Sequence, residues 1–322
     1  VRTAITGGTG FVGSHLATAL RARGDAVAAL VRSASRGAGL RSLGCRLIEG
    51  TLEDEEAVER LVEGADVVFH VAGRVAARSE EEFREANRDG AARVARAAGR
   101  ARASRLVHVS SLAVTGPTVP GRPLAEDQGP GPLTAYGRSK EAGEAAVRAS
   151  GASFTILRPA AVYGPRDRAF LPLFRGAGFG VVPLLGGGRQ ELSLVHAEDL
   201  ASALVAAALA PASLGRTYHV AHPVPTTQRD LAAALGRAMG RRVRTVALPA
   251  PLVRAALSLA GSVVRAAGGV CFLDGDKARE LLAPAWTCSS AALVRDAGWV
   301  ARIPLEEGLV RTVQAYRAAR WL

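Results

Sequence analysis

Arg2-Thr3-Ala4-Ile5-Thr6-Gly7-Gly8-Thr9-Gly10-Phe11-Val12-Gly13 is the stretch that decides how this chain folds. Arg2–Thr6 has the length and composition of a short buried strand, glycines follow at once, and an apolar-periodic stretch over 11–23 completes a strand, a turn and a helix. The glycines are spaced G-x-x-G-x-x-G. Gly7 stands where the chain needs a backbone angle closed to other residues. Gly10 leaves the main chain open to an anionic group, and Gly13 lets the helix pack close to the strand. Phe11, Val12 and Gly13 would form the first helical turn, whose free N–H groups and positive dipole end favour a phosphate.

The alternation continues outward from this turn. Segments 26–31, 45–48, 66–71, 105–110 and 153–157 read as strands, with helical stretches between them, and Val67–Val71 and Leu106–Val109 are the clearest buried runs. Strands alternating with helices imply a parallel sheet covered on both faces, a doubly wound α/β fold of Rossmann type. A chain of 322 residues can form one large domain or two interleaved ones, and no internal repeat is visible. The expected division is a dinucleotide-binding domain over 1–165 and a smaller substrate-binding part over 166–190 and 223–322. Residues 191–222 return to the first domain, with strands 192–196 and 217–221 joining the main sheet or its edge. In the smaller part, 243–248 is expected to be a strand, with helices near 227–239, 250–267 and 304–320 around it and Tyr316 and Trp321 as anchoring aromatics.

Lysine and arginine together number 41 against 29 acidic residues, a net charge of +12, yet only two of the basic residues are lysines. The arginines are scattered along helices such as 93–105, with no basic run and few aromatics to stack bases, so nucleic acid is not an expected partner. Cys45, Cys271 and Cys288 are too few and too dispersed for a disulfide framework, and no C-x-x-C pair occurs, which fits a reducing, cytoplasmic setting. The first strand is read from the first residues onward, and no signal peptide is expected. Residues 249–268 are mostly apolar, but Arg254 and Arg265 interrupt them, so a spanning helix is not expected. A lid or a pocket wall is the favoured role there over contact with a membrane surface. His196 is read as a residue that packs or hydrogen-bonds at a strand end; His219 and His222 flank an expected strand and turn with no Asp/Glu/His cluster of metal spacing around them, and no metal is expected.

Lys140 lies four residues after Tyr136, so the two share one face of a helix. Arginine serves almost everywhere else in this chain, and a lysine kept here suggests a task that guanidinium cannot perform. An ammonium group beside a phenol favours the phenolate, drawing the tyrosine pKa down from about 10 towards working pH. Such a tyrosine can pass a proton to or from a substrate oxygen.

Taken together, the glycine turn, the serine pair Ser110-Ser111 after the fifth strand, and Tyr136 with Lys140 resemble the extended short-chain dehydrogenases/reductases, also described as NAD-dependent epimerases/dehydratases. His70-Val71-Ala72-Gly73, Asn87-Arg88-Asp89-Gly90, Leu157–Pro165 and Val195–Ala201 extend the resemblance over most of the chain. It implies that Ser111 hydrogen-bonds a substrate carbonyl, that Tyr136 donates a proton as hydride arrives, and that Lys140 holds the nicotinamide ribose and stabilises the phenolate. Ser110 is read as a strand-end residue satisfying backbone groups. Cofactor contacts are implied for Gly7, Gly10, Phe11, Val12, Gly13, Val71, Ala72, Gly73, Asn87, Tyr136, Lys140, Pro159 and Val162. Thr51 and Leu52 stand near the adenine, where the family's Gly-Asp is replaced by Gly50-Thr51.

Departures from the family pattern narrow the expectation. After the second strand, where an acid would grip an NAD ribose, the chain has Val31-Arg32-Ser33. Arg32, helped by Ser33 and Arg36, suits a 2′-phosphate, so NADP is favoured over NAD, and Asp25 is read as a turn residue. Leu112 and Ala113 follow Ser111 where dehydratases carry an acid. Leu192 stands where nucleotide-sugar epimerases carry an arginine, and Arg189 is out of register to replace it. The expected activity is therefore an NAD(P)-dependent reductase or dehydrogenase acting on a small-molecule ketone or secondary alcohol, closest to the hydroxysteroid dehydrogenase and dihydroflavonol reductase-like branch. A sugar-nucleotide epimerase and a non-catalytic dinucleotide binder are the alternatives, and a homodimer built partly on helix 133–149 is expected by analogy.

Overall fold

Short runs of valine, isoleucine, leucine and alanine bury both faces of their strands, as a parallel sheet under two helical layers requires. Seven strands, the inner ones built of such runs, form one sheet in the computed structural model of the chain, which describes residues 1–126, 128–270 and 275–322. They are β1 (Arg2–Thr6), β2 (Ala26–Val31), β3 (Arg46–Glu49), β4 (Val67–His70), β5 (Arg105–Val109), β6 (Phe154–Pro159) and β7 (Thr217–Val220). Their order is β7-β6-β5-β4-β1-β2-β3, with every neighbouring pair parallel. The chain fills one side of β1 first and then crosses to β4 on the other, which opens a crevice beyond the carboxyl ends of β1 and β4. Cys271 lies outside the described residues.

Adjacent residues of each strand point to opposite faces. Ile5, Val107 and Leu157 join one core with Leu16 and Leu20 of α1 (Phe11–Ala22). Ala4, Leu106 and Ile156 join a second core, with Val58 and Leu61 of α2 (Glu55–Val62) and Val94 of α3 (Gly90–Arg100). On the first face α1 also packs against α5 (Ala197–Leu209) through Leu200 and Leu204. Between α3 and α5 in sequence, α4 (Ala135–Arg148) carries Tyr136 and Lys140.

The opening turn is as tight as its glycines suggest. Gly7 adopts φ +74°, and a Cβ there would stand 2.6 Å from the Ala72 nitrogen. A Cβ on Gly13 would stand 2.1 Å from the Gly7 carbonyl oxygen, so α1 rests directly on the turn that starts it.

A third core gathers Phe174, Leu184, Leu231, Leu235, Leu309 and Tyr316. Here Val181–Leu185 pairs in parallel with Arg244–Leu248, and the Tyr316 hydroxyl donates to the Asp167 carbonyl at 2.6 Å. Residues 192–196 correct the expectation that they join the main sheet. The edge beyond β6 is taken by β7, so Leu194–His196 pairs instead with Ala161–Tyr163, just past the end of β6, and Glu191–Leu192 joins Thr226–Thr227 and Ala285–Trp286 in a small separate sheet.

Candidate active site

One cavity of about 1500 Å³ runs from the glycine turn across the carboxyl ends of the strands to Gln228, Leu231 and Trp286. At its first end, Gly10 precedes α1 with no side-chain cap on the helix. The Gly10 N–H is taken by the Gly7 carbonyl at 2.9 Å, while Phe11, Val12 and Gly13 all face the cavity. Above Gly10 the main chain is bare: an added Cβ would find only the Gly7 oxygen within 4 Å, at 3.2 Å. An uncapped helix terminus with an open approach fits a dinucleotide pyrophosphate.

Most of the residues expected around a cofactor line this cavity. Gly7, Gly10, Phe11, Val12, Gly13, Arg32, Thr51, Leu52, Val71, Ala72, Gly73, Asn87, Pro159 and Val162 do so, together with Ser111, Tyr136 and Lys140. Ser33 and Arg36 do not: the Ser33 hydroxyl lies 3.1 Å from that of Ser35 and accepts the Arg36 N–H. Arg32 is exposed at the cavity edge, and Asp25 is tied to Arg23 at 3.0 Å, away from it. The buried Asn87 amide brackets Arg74, accepting from its N–H at 2.8 Å and donating to its carbonyl at 3.0 Å, and also donates to the Ser139 hydroxyl at 2.9 Å. Asn87 thereby joins the segment after β4 to α4.

Thr134 caps α4 by accepting from Gly137 at 3.1 Å, and Asp276 accepts the Ala135 N–H at 3.0 Å. One turn in, Tyr136 lies against Phe83, and its hydroxyl shares a hydrogen bond with Ser111. Ser111 ends the extended chain after β5, where its Oγ also accepts from Ala113. One turn further, Lys140 is buried, and its Nζ donates to the Val109 carbonyl at 2.6 Å.

The lowered phenol pKa expected from the Lys140 spacing is corrected by these surroundings. Burial pushes the Tyr136 hydroxyl up to about 12, with Glu280 adding to the rise and the Ser111 hydrogen bond opposing it. Burial draws Lys140 down to about 8 against the pull of Glu144. Desolvation outweighs the Ser111 hydrogen bond, so the phenol keeps its proton at neutral pH. Beneath the site the rings of His70 and His108 stack at 5.2 Å, and burial followed by the Lys140 charge takes His70 down to about 3. Both imidazoles are neutral and do not add positive charge under Lys140.

The sequence reading missed what lies behind Lys140. Glu144, one further turn along α4, is fully buried and receives Arg158 of β6 through two hydrogen bonds, Nε to Oε1 at 2.8 Å and Nη2 to Oε2 at 2.7 Å. Ser110 donates to the same carboxylate at 2.6 Å, correcting its reading as a cap for backbone groups. The available signal was the spacing itself, since Glu144 follows Lys140 by the same four residues that separate Lys140 from Tyr136.

Beyond Tyr136 the walls carry an apolar part, Val75, Phe83, Phe170, Leu173, Leu192 and Trp286, beside polar residues that include Gln190, Gln228, Arg168, Arg279 and Glu280. Arg189 is exposed and lines none of the cavity. The charged side chains at this end are engaged with neighbours, Arg168 lying over the Trp321 ring at 4.9 Å and Lys277 pairing with Glu280 at 2.9 Å. His196 stacks edge-on against Tyr163 and caps α5 through Glu198. Among the described residues, no three His, Cys, Asp or Glu side chains gather as metal ligands would.

Comparison with known proteins places this geometry. The description "NAD dependent epimerase/dehydratase family" matches residues 3–221. The chain is 36% identical over 320 residues to a ceramide reductase of Caulobacter vibrioides, covering 99% of this chain and 95% of that one. It is 35% identical over 277 residues to the 4-hydroxy-2-methyl-3-oxo-4-farnesyl-3,4-dihydroquinoline-1-oxide ketoreductase of Stigmatella aurantiaca, covering 83% and 81%. Among solved structures, MoeE5 in complex with UDP-glucose and NAD shares the fold, with a TM-score of 0.79 at 24% identity over 99% of this chain and 100% of that one.

Glu144→Gln should test how the site is held. Losing one charge from a buried pair leaves Arg158 uncompensated, at an expected cost of about 3 kcal/mol, measured as a fall in unfolding free energy in urea. A variant as stable as the wild type would show that the pair does not hold α4.

Proposed function

The chain belongs to the NAD dependent epimerase/dehydratase family, and on that premise we propose that it is an NADP-dependent reductase of a ketone carried on a lipid-like molecule. The observation that carries this reading is the apolar wall beyond Tyr136, built from Val75, Phe83, Phe170, Leu173, Leu192 and Trp286. Such a wall suits hydrocarbon and offers a sugar diphosphate no arginine at Leu192. Two relatives above 30% identity, a ceramide reductase and a ketoreductase of a farnesylated quinoline oxide, act on molecules with long hydrocarbon parts, which supports the same reading. A nucleotide-sugar epimerase is the weaker alternative, because Arg189 is exposed outside the cavity.

The bound nicotinamide would supply the hydride. Ser111, already bonded to the phenol, would donate to the carbonyl oxygen and fix its direction. Tyr136, which holds its proton, would pass it to that oxygen as the carbon is reduced. Lys140 would stabilise the phenolate left behind, and Glu144, fastened by Arg158 and Ser110, keeps positive charge on Lys140 favourable. The phenolate then regains a proton from water. Arg32, at the cavity edge, would take the ribose 2′-phosphate.

Tyr136→Phe should lower kcat by roughly 10²- to 10⁴-fold, the worth of a positioned proton donor, with dinucleotide affinity nearly unchanged in a fluorescence titration. Unchanged turnover would remove Tyr136 from the reaction. Because Lys140 is cationic only below its pKa of about 8, kcat/KM should fall as pH rises through that value. A profile flat to pH values well above it would contradict the role given to Lys140. Arg32→Asp should shift the NADP-to-NAD preference by about tenfold or more, the worth of one charge-assisted hydrogen bond, in paired KM measurements. No shift would place the 2′-phosphate elsewhere.

A further inference from the structure

Helix Ala250–Ala266 lines none of the cavity, although it stands between two segments that do. Ahead of it, strand Arg244–Leu248 pairs Leu248 with the cavity-lining Leu185. After it, helix Gly275–Leu281 lines the cavity, and the two helices touch where a Cβ on Gly275 would meet the Ser258 hydroxyl at 3.1 Å. Helix Gly275–Leu281 in turn reaches the first turn of α4 through Asp276.

The helix buries Val253, yet it turns larger apolar side chains outward. Leu252, Leu259 and Val263 are 58%, 67% and 60% exposed. With the exposed Ala255, Ala256 and Ala260 they recur at helical spacing and make one continuous apolar stripe. At 17 residues the helix is about 25 Å long, and no helix among the described residues is long and apolar enough to cross a membrane. From Leu231 to Leu273 the sequence holds six arginines (237, 241, 242, 244, 254 and 265) and no acidic residue. Arg241, Arg242, Arg244 and Arg254 are exposed.

We propose that helix Ala250–Ala266 docks this protein on an anionic phospholipid bilayer, its apolar stripe lying in the interface and exposed arginines of the segment that leads into it drawn to lipid phosphates. An apolar stripe in a segment that carries exposed arginines and, from 231 to 273, no carboxylate is complementary to such a surface. A second copy of the chain fits worse, because a two-fold contact would bring the same arginine-rich segment against itself. The position of the helix between two cavity-lining segments would let a hydrocarbon-bearing ketone pass from the bilayer to Tyr136. Only that delivery rests on the reductase reading, since docking concerns the surface alone.

The test is co-sedimentation with vesicles of phosphatidylglycerol and phosphatidylcholine in equal parts, against phosphatidylcholine alone, without substrate. Wild-type protein is expected to sediment with the anionic vesicles and to be released as salt is raised. Leu259→Glu with Val263→Glu should weaken partitioning by about tenfold or more, because two apolar side chains no longer enter the interface. In this double variant, kcat/KM for a short water-soluble ketone should stay at the wild-type value. Wild-type protein that stays in the supernatant with anionic vesicles would overturn the proposal, as would a double variant that binds them like wild type. So would a wild-type dimer that the double variant converts to monomer in sedimentation velocity while vesicle binding is unaffected, since the stripe's occupant would then be a second copy. Vesicle binding retained in a protein that reduces no ketone would leave docking standing and remove only the substrate reading.

Discussion

The buried carboxylate of Glu144 joins the parts on which the site depends. It draws Arg158 from β6, Ser110 from the end of β5 and Arg148 from its own helix onto one pair of oxygens. Removing such charges from water is costly, and only several well-aligned donors on the same group offset that cost. Their directions leave α4 little freedom to rotate about its axis or slide along the sheet. Tyr136 and Lys140, two turns and one turn earlier on the same helix, inherit that registration. Ser111 inherits it from the other side, because it follows Ser110 directly.

With the helix fixed, burial sets the protonation states. The phenol is pushed towards its neutral form and the ammonium loses part of its preference for charge. The histidine pair beneath is neutral for the same reason. The Tyr136 phenol therefore keeps its proton, the state that the proposed carbonyl reduction requires. Glu280 reinforces this by raising the phenol further, although it belongs to a helix far away in sequence.

What could be read from the sequence was whatever is local. Gly7, Gly10 and Gly13 announce a strand-turn-helix because each meets a steric need within a dozen residues, and the apolar runs of β1 to β6 were visible at nearly their final bounds. Tyr136 and Lys140 were visible because helical spacing is a local property. Ser33 and Arg36 fall outside the cavity, in a loop after β2 where the Ser33 hydroxyl meets Ser35 and the Arg36 N–H. The sign of the Tyr136 shift was misjudged because spacing reports proximity to a charge and says nothing of how much water remains. The clamp on Glu144 and the wall containing Phe170 and Trp286 are assembled from elements far apart in the chain, and no spacing announces them.

The scarcity of lysine carries its own consequence. Lys140 and Lys277 are the chain's two lysines, and both line the same cavity. Reagents selective for side-chain amines, which on most proteins decorate the outer surface, have no outlying lysine to find here. Coupling to a resin, a dye or an aldehyde through a lysine would amount to an attack on the cavity itself.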